Sequence, residues 1–220
     1  MPDSFQPAPP ALPLPRLDAA RAFADLFLFV LALAAAQFAA ATLALRPVPL
    51  LLLLAAAHVP AARALFHLYR LPPAAATPRS GLFFLLLASL FLSPFLVWWR
   101  AFPGTLWFAA NLVPLALVRM ALLLRICRLV ARWARANAEP GLRLEAGLVA
   151  GLLLFLWLLT AGVIAAACFR SGLYRHGWDA VSLHLSLLTP KARLAFILPD
   201  AAVLSMLAGA RGIALQPPPR

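Results

Sequence analysis

Three stretches, Leu26 to Leu45, Leu82 to Trp99 and Gly147 to Phe169, run for about twenty residues each without one charged side chain. A helix rises about 1.5 Å per residue, so about 20 apolar residues match a hydrocarbon layer about 30 Å thick. Inside lipid every backbone N–H and C=O must find an internal partner, which leaves the helix as the form for such a run. Two or three further stretches are apolar enough to join them. The expected fold is therefore all-α, a polytopic transmembrane bundle of five or six helices. Six spans would take roughly 120 of the 220 residues and leave no room for a soluble catalytic domain. At 64% hydrophobic and 12% charged, the composition also lies far from the soluble balance.

The expected organisation is a Pro-rich tail over 1–21, a helical membrane domain over 22–210 and a short Pro-rich end over 211–220. The tail has no basic n-region, and Arg16 and Arg21 precede an apolar run longer than a signal-peptide core, so that run reads as a retained start-transfer helix. Helix 1 is expected over Ala22 to Leu45, with Asp25 in a first turn where a negative charge suits the helix dipole. Arg46, Pro47 and Pro49 mark a tight hairpin into a second helix, Val48 to Tyr69, bent at Pro60. The third, Leu82 to Trp99, ends in Trp98, Trp99 and Arg100, an interfacial signature. The fourth begins near Thr105 and continues through Leu124 into a basic juxtamembrane helix over 119–138. The Glu139, Pro140, Gly141 sequence breaks it, and the fifth runs from Glu145 to Phe169. Trp178 to Thr189 has the pattern of an interfacial helix. Leu194 to Ala210, interrupted by Pro199 and Asp200, is a marginal sixth span.

The net charge of +12 comes from eighteen arginines and one lysine, Lys191, against seven acids. With the N-terminus inside, twelve basic residues fall on inner segments and six on outer ones, which favours both termini inside. The arginine excess with almost no lysine suggests a GC-rich bacterial genome and hence the inner membrane. Cys127 and Cys168 fall near opposite faces in this layout, so no disulfide is expected between them.

An ionisable group at membrane depth is costly and therefore a functional candidate. Arg119 lies one to two turns inside the end of the fourth helix, and simple anchoring competes with a buried ion pair. Asp200 follows Pro199, a combination that ion-coupled transporters use, although an interfacial acid would look the same. Asn111 is a candidate for the same cavity or for a neutral bond between helices. Arg125, Arg128, Arg132 and Arg135 recur at intervals of three and four, which puts them on one side of a helix whose other side carries Ile126, Leu129, Val130 and Trp133. That stripe fits anionic lipid headgroups or another membrane protein. Nucleic acid is not expected, because only Trp133 could serve as a stacking platform. His58 and His67 lie off a common helical face, and spacing alone assembles no Ser, His and Asp site, so no cofactor, metal or catalytic residue is assigned. The leading reading is a small inner-membrane protein without catalytic activity, a scaffold or accessory subunit. The alternative is a transporter or channel component using Asp200, Arg119 and Asn111.

Overall fold

A computed structural model describes residues 14–42, 46–71, 79–102, 105–170 and 198–216, and all of its regular structure is helical. The helices are α1 (Leu14–Thr42), α2 (Pro47–Ala57), α3 (Val59–Tyr69), α4 (Arg79–Ala101), α5 (Leu106–Ala136), α6 (Pro140–Arg170) and α7 (Leu198–Ala214). Because α2 and α3 form one broken rod, there are six rods. Four of them are long and apolar enough to cross a membrane, the stretches Arg16–Ala39, Pro47–Tyr69, Ser80–Ala101 and Pro140–Gly162.

Several boundaries differ from the sequence-based ones. α1 starts eight residues before Ala22, so the described part of the Pro-rich segment, from Leu14, is helical and Asp25 lies in mid-helix rather than in a first turn. The second rod is interrupted for one residue at His58, which keeps right-handed helical dihedrals, two residues before the expected bend at Pro60. Pro60 has no N–H to give, and the His58 N–H shifts to the Ala55 carbonyl at 3.1 Å. α6 begins at Pro140, five residues before Glu145, with proline at the first helical position, where a missing N–H costs nothing. Pro199 and Asp200 do not interrupt a helix; they open α7, where proline and an acid both suit the first turn. The expected interfacial helix at 178–189 falls outside the described residues.

The α5–α6 elbow has a defined geometry. The Ala138 N–H bonds the Arg135 carbonyl at 3.3 Å and the Glu139 N–H bonds the Ala134 carbonyl at 2.8 Å, the two bonds of a Schellman ending. Such an ending needs a left-handed residue, and here it is an alanine, Ala138, at φ 56°.

The rods form a closed ring. α2 and α3 lie beside α4, α4 beside α5, α5 beside α6 and α6 beside α7, while α1 closes the circle between α7 and the α2–α3 rod. Phe23, Leu26, Phe29 and Leu33 of α1 are buried, and small residues such as Ala19, Ala22 and Ala36 let its neighbours approach. Phe23 meets Trp133 of α5 edge to face at 5.3 Å between ring centres, which ties α1 to the far side of the ring.

Successive rods alternate in direction, which sorts the charge. One end carries Arg16 and Arg21 of α1, Arg70 after α3, Arg125 to Arg135 of α5, Arg143 of α6 and Arg211 of α7. The other carries Arg46, Arg100 and Arg170, the last residue of α6. Arg16 Nη1 donates to the Gln216 carbonyl at 2.8 Å, so the beginning of α1 and the end of α7 meet at the arginine end.

Candidate functional site

α7 has 17 residues and spans about 25 Å, whereas the 31 residues of α5 span about 46 Å. Since α7 finishes at the arginine end, it starts partway down the bundle, and that is where its one acid sits. Asp200 is 2% exposed, and its Oδ2 accepts a hydrogen bond from Arg119 Nη2 of α5 at 2.5 Å. The Arg119 side chain is 20% accessible. The Asp200 carboxyl group thus meets the Arg119 guanidinium from the first turn of α7, where an acidic residue suits the helix dipole. Arg119 and Asp200 are therefore in contact across α5 and α7.

Asn111 does not join them. Its Nδ2 donates to the Trp107 carbonyl of its own helix at 2.8 Å. Eight residues separate it from Arg119, about 12 Å along the axis. The two hollows described on the surface also lie elsewhere, one over Pro140, Arg143, Leu144, Gly147 and Leu148, the other among Trp98, Phe102, Thr105 and Phe108. The three-residue convergence that a shared cavity would need is reduced to a two-residue contact.

A second polar group escaped the sequence reading. Asp18 and Asp25, seven residues apart, share a face of α1, and Arg63 and His67, four apart, share a face of α3. The His67 ring lies between the carboxylates, with Nδ1 at 3.5 Å from Asp18 Oδ1 and Nε2 at 3.7 Å from Asp25 Oδ2. Arg63 Nε approaches Asp25 Oδ1 at 3.8 Å from a largely exposed position. These separations exceed hydrogen-bond length, and Asp25 Oδ2 and His67 Nδ1 are buried without a hydrogen-bond partner. The two matched spacings carry the signal in the sequence, but placing Asp25 in a first turn separates it from the face of α3 that it meets.

The third group is at the α2–α3 break. There the Leu54 carbonyl has lost its usual amide, and His58 Nδ1 donates to it at 2.8 Å. This leaves Nε2 of the neutral ring to accept from Ser89 Oγ of α4 at 3.1 Å, while Ser93 Oγ donates to the Ser89 carbonyl at 2.6 Å. A Ser–His contact of this kind could activate a nucleophile if it were open. Ser89 is 1% exposed, so the contact acts as a bond between helices.

The basic stripe is helical throughout, and Arg128, Arg132 and Arg135 are exposed. Arg125 differs: it is half-buried, with its guanidinium 3.6 Å from where a side chain on Gly81 of α4 would begin. Ile126, Leu129, Val130 and Trp133 are buried in the ring rather than turned toward a bilayer. The segment is therefore not a separate amphipathic helix; only its arginine side is free to meet a partner.

Among the described residues, no group of three or more His, Cys, Asp or Glu side chains is arranged to hold a metal ion. Cys127 is buried as a free thiol. Comparison with protein families, with curated proteins and with solved structures finds no match.

Proposed function

We propose that this chain is a non-catalytic, multi-pass subunit of a bacterial inner (plasma) membrane, with its N-terminus cytoplasmic, that serves as a scaffold or accessory to a membrane complex. The observation that carries this reading is the unequal distribution of charge. Arg21, Arg128, Arg132, Arg135, Arg143 and Arg211 are all exposed at one end of the bundle, whereas Arg119 and Asp200 inside it are in contact with each other. Positive residues collect on the cytoplasmic side of membrane proteins, and such a surface suits anionic headgroups or the acidic face of another membrane protein. Five rods would cross fully, and α7 would reach the cytoplasmic face from mid-depth. The meeting of Arg16 with Gln216 supports both termini on that side. Purification of the full chain from native membranes in a mild detergent, read by mass spectrometry, tests the proposal. A reproducible stoichiometric membrane partner supports it; a chain isolated alone from several detergents removes the scaffold role.

A second reading, ion-coupled transport, draws support from the Arg119–Asp200 contact, which joins two helices at membrane depth. Reconstituted vesicles under an imposed potential test it. A proton or cation flux lost in Asp200→Asn with insertion intact favours transport, and absence of flux in the wild type rejects it.

A further inference from the structure

At the elbow between α5 and α6 an apolar hollow has Arg143 on its rim, and Arg135 lies at the end of the other arm; among the described residues neither guanidinium has a partner. Pro140, Arg143, Leu144, Gly147 and Leu148 line a shallow hollow on α6. Gly147 leaves open space there, since an added side chain would meet nothing within 4 Å. Leu144 and Leu148 wall it and are exposed, whereas Leu142, Ala146 and Leu153 hold the opposite face of α6 against the bundle. The hollow therefore faces outward, with Arg143 exposed on its rim. On α5, Arg135 is exposed on the side turned away from the buried Ile126, Val130 and Trp133. Arg135 and Arg143 stand four residues before and after Glu139, in the last turn of α5 and the first turn of α6, so both belong to the elbow end of the bundle.

An apolar slot running away from a pair of arginines has the complementary chemistry of an anionic glycerophospholipid, which carries an acyl chain and a phosphate in that order. A zwitterionic lipid offers the same chain, but its ammonium offsets the attraction of the phosphate for the guanidinium groups. We infer that this hollow binds one acyl chain of an anionic glycerophospholipid whose phosphate is held by Arg143 and Arg135. The inference rests on the proposal that the arginine end lies at a membrane surface, and it adds a discrete site to that general basicity.

The test is native mass spectrometry of the full chain after exchange into mixed phosphatidylglycerol and phosphatidylcholine nanodiscs. Wild type is expected to retain one phosphatidylglycerol in preference to phosphatidylcholine. Arg143→Gln should lower that preference about fivefold, the equivalent of about 1 kcal/mol for one basic residue at an anionic surface. Gly147→Leu fills the slot without changing charge and should lower retention by a similar factor, and circular dichroism should confirm an unaltered helix content. Arg46→Gln, at the other end, should behave as wild type, and glycerol phosphate in the buffer should not displace the lipid. Equal retention of both lipids by wild type overturns the site. So does full retention in Gly147→Leu with loss in Arg143→Gln, which would mean diffuse attraction and leave the basic cytoplasmic face standing. Displacement by glycerol phosphate would identify a free-anion site instead. Failure of the orientation itself would show separately, in reporter fusions.

Discussion

Removing one partner of the Arg119–Asp200 pair strands the other. Breaking a buried ion pair typically costs about 3–5 kcal/mol, whereas replacing both partners with apolar residues is often neutral or stabilising. Asp200 is almost fully buried and Arg119 is one-fifth accessible, so the guanidinium has a partial route to water and the lower end of that range applies. Asp200→Asn should therefore destabilise by about 3 kcal/mol, of which about 0.3–1 kcal/mol is the lost interaction with the first turn of α7. Arg119→Met should cost somewhat less, about 2 kcal/mol, because Asp200 still lies in the first turn of α7, where the helix dipole favours an acid. The double variant Arg119→Met with Asp200→Leu should return to within about 1 kcal/mol of wild type, giving a coupling energy of several kcal/mol, above the usual range for contacting residues. Equilibrium unfolding of the full chain in mixed micelles, followed by far-ultraviolet circular dichroism, measures all four species. Additive single effects, or an Asp200→Asn cost below about 0.5 kcal/mol, would refute the buried pair.

The other expectations are local. Ala138→Gly should stabilise by about 0.5–1 kcal/mol in the same assay, because alanine is held at a left-handed φ that glycine adopts without strain. Ser89→Ala should destabilise by about 1 kcal/mol by leaving His58 Nε2 without a donor, and unchanged stability would mean that water replaces the hydroxyl. In a Cys168→Ser background, Cys127, which is 1% exposed, should resist maleimide in the folded chain and react fully once unfolded; rapid labelling of the folded chain would contradict its place in the ring.

The helical class, the apolar rods and the arginine stripe were legible because each is a local pattern: run length for a span, and intervals of three and four for a face. The exposed positions of Arg128, Arg132 and Arg135 followed from periodicity alone. The environment of Asp25 did not. Whether an acid is terminal or central depends on where its helix starts, and the proline-containing segment before Arg16 looked like a tail although proline is tolerated in a first turn. The partner of Asp200 was a matter of long-range packing. Arg119 and Asp200 are 81 residues apart, and the charge pattern of either segment carries no sign that α7 would begin at the depth of Arg119. The loss of Asn111 from that group has a similar cause. A carbonyl acceptor lies one turn back on its own helix, and hydropathy cannot distinguish that bond from one across the bundle. His58 was visible as an oddity inside an apolar run; its role as a plug for the Leu54 carbonyl required knowing that Pro60 ends one helix and opens another.

The most direct test of a multi-pass chain with its arginine end in the cytoplasm is a pair of reporter fusions at the α5–α6 elbow. A fusion after Ala138 sits among Arg128, Arg132, Arg135 and Arg143, at the end of the bundle where the beginning of α1 and the end of α7 also meet. A cytoplasm-active reporter should be active there, a periplasm-active reporter silent, and the pattern should reverse for fusions at Phe102, at the opposite end. Periplasmic activity after Ala138 would invert the bundle and contradict the proposed cytoplasmic basic face.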